Sequence, residues 1–104
     1  MITLQEIESP QNGLITRHAF FTYDPHNEFN IEHSVNYLSE DLLRGFFRQE
    51  DIKVELGWYG NMEENEGEFR IYIIQSENWE FPVETVYSKD VEEIKTLLGN
   101  ILTY

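Results

Sequence analysis

The sequence IKVELGWYGNMEENEGEFRIYIIQ, residues 52–75, contains the clearest structural pattern in this chain. Apolar and polar residues alternate through Ile52–Tyr59, and the same alternation returns in Phe69–Gln75. A period of two is typical of strands that bury one face of an antiparallel sheet and leave the other face wetter. The polar run Gly60–Glu68 between the two segments therefore predicts a hairpin turn.

Three more segments have the character of strands. Trp79–Tyr87 also alternates, and Pro82 within it favours an edge position because proline cannot donate to a sheet ladder. Ile2–Glu8 and Leu14–Tyr23 are rich in strand-forming residues and flank the turn residues of Ser9–Gly13. The two N-terminal segments therefore predict a second hairpin.

Two segments carry helical periodicity. Apolar residues recur at helical spacing through Ile31–Gln49, which predicts a helix. The helix begins either near Ile31 or near Glu40, because Ser39 followed by Glu40 and Asp41 also fits a helix start. Asp90 with Glu93 fits a capping box ahead of the apolar stripe Val91–Leu102. This second pattern predicts a final helix.

The predicted elements follow the order β-β-α-β-β-β-α. Amphipathic helices and a sheet with one apolar face favour an α+β fold, a two-layer sandwich of an antiparallel sheet of about five strands with two helices on one face. The length of 104 residues predicts a single domain. The second face of the sheet is expected to be at least partly exposed.

The charge of the chain is strongly negative. Twenty Asp and Glu stand against seven Lys and Arg, a net charge of -13, and Glu50–Glu68 alone holds seven acids and one lysine. The aromatic content of 14% indicates a folded domain with an acidic shell rather than a disordered chain. Nucleic acids and anionic lipids would repel this surface, so the surplus predicts a basic protein partner and neither direct nucleic-acid binding nor membrane binding.

The composition also bears on the compartment. The sequence contains no cysteine, and its first residues, Met1–Glu6, lack the basic start and apolar run of a signal peptide. No apolar stretch approaches the ~20 residues that a membrane-spanning helix needs. These features predict a cytoplasmic protein.

Motifs that signal catalysis are absent from the sequence. It has no Gly-x-Ser-x-Gly elbow, no Gly-x-Gly-x-x-Gly fingerprint and no phosphate-binding loop. His26 with Asp24 and Glu28 could supply metal ligands, but nothing in the spacing brings the three histidines together. We therefore expect no enzymatic activity, no cofactor and no metal site.

The wetter face of the last three strands is predicted to combine tyrosines with carboxylates, together with Lys53 and Arg70. Tyrosine supplies contact area at low entropic cost, and carboxylates pair with the Lys and Arg of a partner. A plain solvated sheet face, and a plain solvated tip for Gly60–Glu68, are the alternatives. The residues predicted to bind a partner are Glu55, Tyr59, Glu63, Glu64, Glu66, Glu68, Tyr72, Glu80 and Glu84.

The chain resembles the small acidic immunity proteins of bacterial contact-dependent inhibition and related polymorphic toxin systems. The resemblance lies in length, in a pI near 4.4, in the α+β pattern, and in the motifs Glu55-Leu56-Gly57-Trp58-Tyr59 and Glu77-Asn78-Trp79-Glu80-Phe81. It implies a cytoplasmic antitoxin that binds and occludes a cognate basic toxin domain, commonly a nuclease. It assigns no role to any single residue.

Two other functions fit the sequence less well. One is an inhibitor that mimics DNA, such as a phage protein that blocks a host nuclease or a CRISPR complex. Such an inhibitor is also acidic, so composition does not distinguish it from an immunity protein. A small metal-dependent hydrolase would use His26, Asp24 and Glu28. A toxin gene directly upstream of this chain would favour the immunity function.

Overall fold

The computed structural model of the protein describes residues 1–103, in which a five-stranded antiparallel sheet and two helices form. Strands that follow one another in the chain are neighbours in the sheet, in the order β1-β2-β3-β4-β5. The predicted α+β class, with five antiparallel strands and two helices, is confirmed. In chain order the elements are β1 (Leu14–His18), α1 (Ile31–Tyr37), β2 (Leu43–Phe47), β3 (Ile52–Asn61), β4 (Glu66–Gln75), β5 (Glu84–Ser88) and α2 (Val91–Leu102).

The core lies between α2 and one face of the sheet, here called the core face; the opposite face is the outer face. β3 and β4 pair without interruption from Ile52 opposite Gln75 to Asn61 opposite Glu66. Burying a large apolar side chain contributes roughly 1.5–3 kcal/mol. Alternate side chains of β3 and β4 and one stripe of α2 are buried together: Val54, Leu56, Trp58, Phe69, Ile71, Ile94, Leu98 and Leu102.

Asp90 is the N-cap of α2 as the sequence predicts, but Ser88 replaces the direct contact of the predicted capping box. The Asp90 carboxylate accepts a hydrogen bond from the Glu92 N–H at 3.0 Å. Ser88 stands between the two residues of the predicted capping box, because its hydroxyl accepts from the Asp90 N–H at 3.0 Å and donates to the Glu93 carboxylate at 2.6 Å. The helix is thereby tied directly to the last residue of β5.

The N-terminal hairpin is looser than predicted. The expected first strand, Ile2–Glu8, is an extended segment with a single isolated bridge between Leu4 and Phe21. A backbone hydrogen bond of 2.8 Å from the Gln5 N–H to the Phe20 carbonyl keeps it beside the second predicted strand. Only the first five residues of that second strand join the sheet, as β1.

The helix prediction for residues 31–49 is right at its start and wrong over its second half. α1 ends at Tyr37, and Leu43–Phe47 is strand β2, so the alternative helix start near Glu40 is also wrong. β2 pairs along its whole length with β3, and Gly45 lies opposite Val54 on the core face. A glycine costs a helix about 1 kcal/mol, and a complete ladder with β3 outweighs the local helical spacing.

α1 covers little of the core. Its one buried residue is Ser34, whose hydroxyl lies 2.7 Å from the Tyr23 hydroxyl, while Ile31 and Val35 are exposed. Leu38, directly after the helix, is buried in the core cluster. The predicted packing of two helices on one face is therefore provided mainly by α2.

The last strand is shorter than predicted, and its two faces are exchanged: the alternation predicts Thr85 and Tyr87 on the core face and Glu84 and Val86 on the outer face, and the structure has the reverse. β5 begins at Glu84 and is an edge strand, as Pro82 indicated, but residues 79–83 form a loop. Thr85 lies opposite Tyr72 on the outer face, whereas Val86 lies opposite Ile71 and packs against the core. Burial of Val86 fixes the phase, because alternation then turns both of its neighbours outward.

Two glycines give a direct test of this packing. A Cβ on Gly57 would clash with backbone atoms of Glu40, which cannot move aside as a side-chain tip could. We expect Gly57→Ala to lower the free energy of unfolding by about 2–3 kcal/mol. A Cβ on Gly99 in α2 meets nothing within 4 Å. Gly99→Ala is the matched control and is expected to raise the free energy of unfolding by about 0.5–1 kcal/mol.

Urea unfolding of both variants measures the two effects. Equal stability of Gly57→Ala and the parent protein would show that β3 does not pack closely against residue 40.

Candidate partner-binding surface

The outer face of β3, β4 and β5 carries a cluster centred on Arg70. The guanidinium donates to the Glu68 carboxylate from Nε at 3.0 Å and to the Tyr72 hydroxyl from Nη1 at 3.2 Å. It also lies 4.9 Å from the centre of the Tyr59 ring and 5.8 Å from that of Tyr87. These contacts satisfy one cation with a carboxylate, a hydroxyl and two aromatic faces.

The cluster perturbs the acid–base chemistry of its members. The hydrogen bond with Tyr72, followed by that with Glu68, raises the pKa of Arg70. The Tyr59 and Tyr72 rings meet edge to face at 5.7 Å. Burial, followed by the negative charges of Tyr72, Glu40 and Glu55, raises the pKa of Tyr59, and Arg70 opposes this change.

A second network covers the outer face toward β1. Arg44 contacts Glu55 at 2.7 Å and Asp41 at 3.4 Å, and Arg17 reaches the same Asp41 at 3.0 Å. Arg17 and Arg44 are paired in the β1–β2 register, and Arg44 is opposite Glu55 in β3. The shared aspartate therefore offsets two arginines that the sheet holds side by side.

Lys53 is a further base that pairs within the protein, through a contact of 2.6 Å with Glu77. Among residues 1–103, four of the seven basic residues thus pair with four acids, so that these eight charges cancel. Sixteen acids and three bases remain from the full set of twenty and seven. The whole net charge of -13 therefore arises outside the paired groups, and the outer face is close to neutral.

The structure brings together only part of the predicted binding set. Tyr59, Glu68 and Tyr72 meet around Arg70, and Glu55 lies beside them in the register opposite Tyr72. The carboxylates in this group already have partners within the protein, which leaves them less free to pair with an external cation. The prediction of an acidic outer face is therefore corrected to one with internally compensated charge.

The hairpin tip, residues 61–66, keeps its acids free of ion pairs among the described residues. Glu63, Glu64 and Glu66 are exposed. The Asn61 side-chain carbonyl accepts from the N–H groups of Glu63 at 3.0 Å and Glu64 at 3.3 Å, and Asn65 adopts the left-handed conformation at φ 50°. The tip is an ordered turn that projects negative charge.

Other acids gather at the same end of the sheet. A small pocket lined in part by His26, Asn65 and Lys89 shows that the turn before α1 lies against the hairpin tip. β5 ends there as well, opposite Phe69, and α2 follows with Asp90 as its N-cap and two acids, Glu92 and Glu93, in its first turn. This acidic end, as we call it, holds one base, Lys89, and eight acids: the exposed residues Glu28, Glu63, Glu64, Glu66, Asp90, Glu92 and Glu93 together with Asp24.

Glu80 and Glu84 lie apart from both regions. Glu80 is in the loop between β4 and β5, and Glu84 is opposite Ile73 at the start of β5. Because Glu84 has the same phase as Val86, it faces away from Tyr72 and Arg70. The predicted grouping of Glu80 and Glu84 with the tyrosines is wrong, because Glu80 lies outside the strand and Glu84 is on the opposite face from Tyr72.

Sequence reasoning missed several members of the outer face. Arg44 was assigned to a helix, and Tyr87 was assigned to the buried set of its strand. Arg17 and Asp41 have no sequence signal that links them, because their contact depends on the register of β1 with β2. Alternation did place Arg70 on the outer face, although Arg70 was left out of the predicted binding set.

Of the three residues considered as metal ligands, Asp24 has other partners for its carboxylate. Asp24 accepts from the N–H groups of His26 at 3.1 Å and Asn27 at 3.3 Å, and from the Asn27 side-chain amide at 2.8 Å. Its carboxylate therefore caps a turn. Among residues 1–103, no group of three or more His, Asp or Glu side chains has an arrangement suited to a metal ion.

Comparisons with known proteins add no family to these observations. The sequence matches no protein-family model and no curated protein, and the fold of the described residues matches no solved structure. Within residues 1–103, none of the helices has the length and apolar character needed to cross a membrane.

The raised pKa of Tyr59 predicts how stability changes in alkali. The folded protein holds this phenolic proton more tightly than the unfolded chain, whose ordinary value is 10.0. The resulting stabilisation is complete below that pH and is lost as the pH rises through the folded-state pKa. We expect Tyr59→Phe to reduce the alkaline loss of unfolding free energy, measured by urea unfolding from about pH 9 to about pH 11. Parallel pH curves for the two proteins would contradict the assignment.

Proposed function

We propose that this chain is an immunity protein that binds and occludes a basic toxin domain, with a nuclease as the expected class of toxin. The observation that carries the proposal is the separation of charge. Internal ion pairs offset the bases of the outer face, and the acidic end presents unpaired carboxylates on an ordered hairpin tip.

The acidic end has the electrostatic character that such a partner requires. A nuclease must attract phosphates, so its active-site cleft is positive, and exposed acids complement that cleft. Complementary charge speeds association through long-range steering and makes the complex sensitive to salt. The tip acids stand close together in the chain, with Asn61 fixing the turn that carries them.

We propose a different role in partner binding for the outer face. Tyr59, Tyr72 and Tyr87 form an aromatic surface around Arg70, with charges satisfied within the protein. Tyrosine is enriched in the energetic centres of interfaces, where it contributes area without a charge to desolvate. We propose that steering comes from the acidic end and that the tyrosines add contact area where the partner reaches this face.

The direct test is coexpression with the protein encoded immediately upstream of this chain. If its C-terminal domain is toxic to the host, we expect this chain to restore growth and to form a complex with that domain that weakens as salt increases. Absence of a toxic basic domain upstream, or survival that does not depend on this chain, would reject the proposal.

Charge-neutralising variants separate the acidic end from the outer face. The triple variant Glu63→Gln, Glu64→Gln, Glu66→Gln is expected to weaken toxin binding at least about tenfold at low salt, because steering and pairing are both lost. Its free energy of unfolding is expected to stay within about 0.5 kcal/mol of the parent value, since these acids are exposed.

The matched control is Glu55→Gln with Glu68→Gln, which also removes negative charge. These acids pair with Arg44 and Arg70, so we expect this variant to lose about 1 kcal/mol or more of stability and to retain most of the binding. Calorimetric titration and thermal unfolding measure the two quantities. Unchanged binding by the triple variant would mean that the acidic end serves solubility alone.

A further inference from the structure

The loop between β4 and β5 exposes an unusual amount of apolar surface. Trp79, Phe81 and Val83 are 48%, 72% and 62% exposed, although they lie within five residues of one another. Scattered apolar residues on a surface are normal, but a contiguous group indicates an interaction site. Phe81 and Val83 line a shallow groove together with Gln75, Ser76 and Asn78.

Hydrogen bonds hold this loop in one arrangement. The Asn78 N–H donates to the Gln75 carbonyl at 3.1 Å and closes a turn whose central residues, Ser76 and Glu77, have φ of 54° and 58°. Residues other than glycine adopt this left-handed conformation at a cost of roughly 1 kcal/mol each. The surrounding contacts must therefore maintain a turn that the local sequence does not favour.

Contacts at both ends of the loop supply that support. Lys53 contacts Glu77 at 2.6 Å, and the Ser76 N–H donates to the Asp51 carbonyl at 2.9 Å. The Val83 N–H donates to the Ile73 carbonyl at 2.8 Å, which aligns the end of the loop with β4. The apolar side chains are thus presented on a preorganised support, which reduces the entropy lost on binding.

The charge around the groove selects the kind of occupant. Residues 71–88 contain three acids and no Lys or Arg, and Lys53 already offsets Glu77. Glu80 and Glu84 remain exposed beside the apolar side chains. A basic segment would pair with these two carboxylates, whereas a second copy of this chain would bring like charges together at the contact.

We infer that this groove is a docking site for a basic protein segment that carries an apolar side chain between Lys or Arg residues. Phe81 and Val83, which line the groove, contact the apolar side chain, Trp79 lies in the same loop, and Glu80 and Glu84 pair with the neighbouring basic residues. The groove adjoins the last residue of β4, and the hairpin tip precedes the first, about 30 Å away along the ten-residue strand. The site is therefore a second surface, separate from the acidic end, and it does not require the partner to be a toxin.

The test uses two synthetic peptides of equal length and charge, one with Arg alternating with Leu and one with Arg alternating with Ser. We expect the Leu peptide to bind the full chain about tenfold more tightly, because only it places an apolar side chain in the groove. Its binding is expected to shift the emission of exposed Trp79 to shorter wavelength, while Trp58 stays buried at 4% exposure. Phe81→Ser is expected to abolish the preference for Leu.

Val35→Ser is the matched control, because Val35 is 65% exposed on α1 and lies outside the groove. This variant and the triple hairpin-tip variant are expected to keep the preference for the Leu peptide, which separates this site from the proposed function. Equal affinity for both peptides, or a preference that persists in Phe81→Ser, would overturn the inference. Concentration-dependent dimerisation that Phe81→Ser removes, seen by light scattering, would instead assign the groove to a second copy.

Discussion

The long ladder between β3 and β4 is the constraint on which the rest of the structure depends. Ten consecutive residue pairs fix its register, from Ile52 with Gln75 to Asn61 with Glu66. Because side chains alternate across a strand, this register sends Leu56 and its counterparts to the core face and sends Tyr59 and its counterparts outward. β2 and β5 add to the two edges of this ladder, and α2 covers its core face.

The same register creates the charge separation on which the functional proposal is based. Arg44 is held opposite Glu55, and Arg70 lies beside Glu68 and Tyr72, so the bases of the outer face meet acids within the protein. Exposed ion pairs contribute little individually to stability. Their larger effect is electrostatic, since four of the seven bases are paired on the outer face and no longer offset the remaining acids. A modest number of internal contacts thus leaves the acidic end strongly negative.

The candidate surface could be predicted only where local pattern and register agree. Alternation placed Tyr59, Tyr72 and Arg70 on one face, because both strands are long and each has an unmistakable phase. It failed for Glu84, where five of the nine residues in the predicted strand belong to a loop and the burial of Val86 sets the phase. Helical spacing gave the wrong structure for residues 43–47, where pairing with β3 produces a strand.

The sequence by itself determined the acidic surplus, the β3–β4 hairpin, the final helix with its cap at Asp90, and the α+β class, since each follows from composition or from a pattern between nearby residues. The tertiary structure alone decided that Leu43–Phe47 becomes a strand and that Arg17 shares Asp41 with Arg44. It also decided which carboxylates pair with bases inside the protein and which are available to a partner. These outcomes depend on strand register and on burial against distant residues, and a local pattern contains neither.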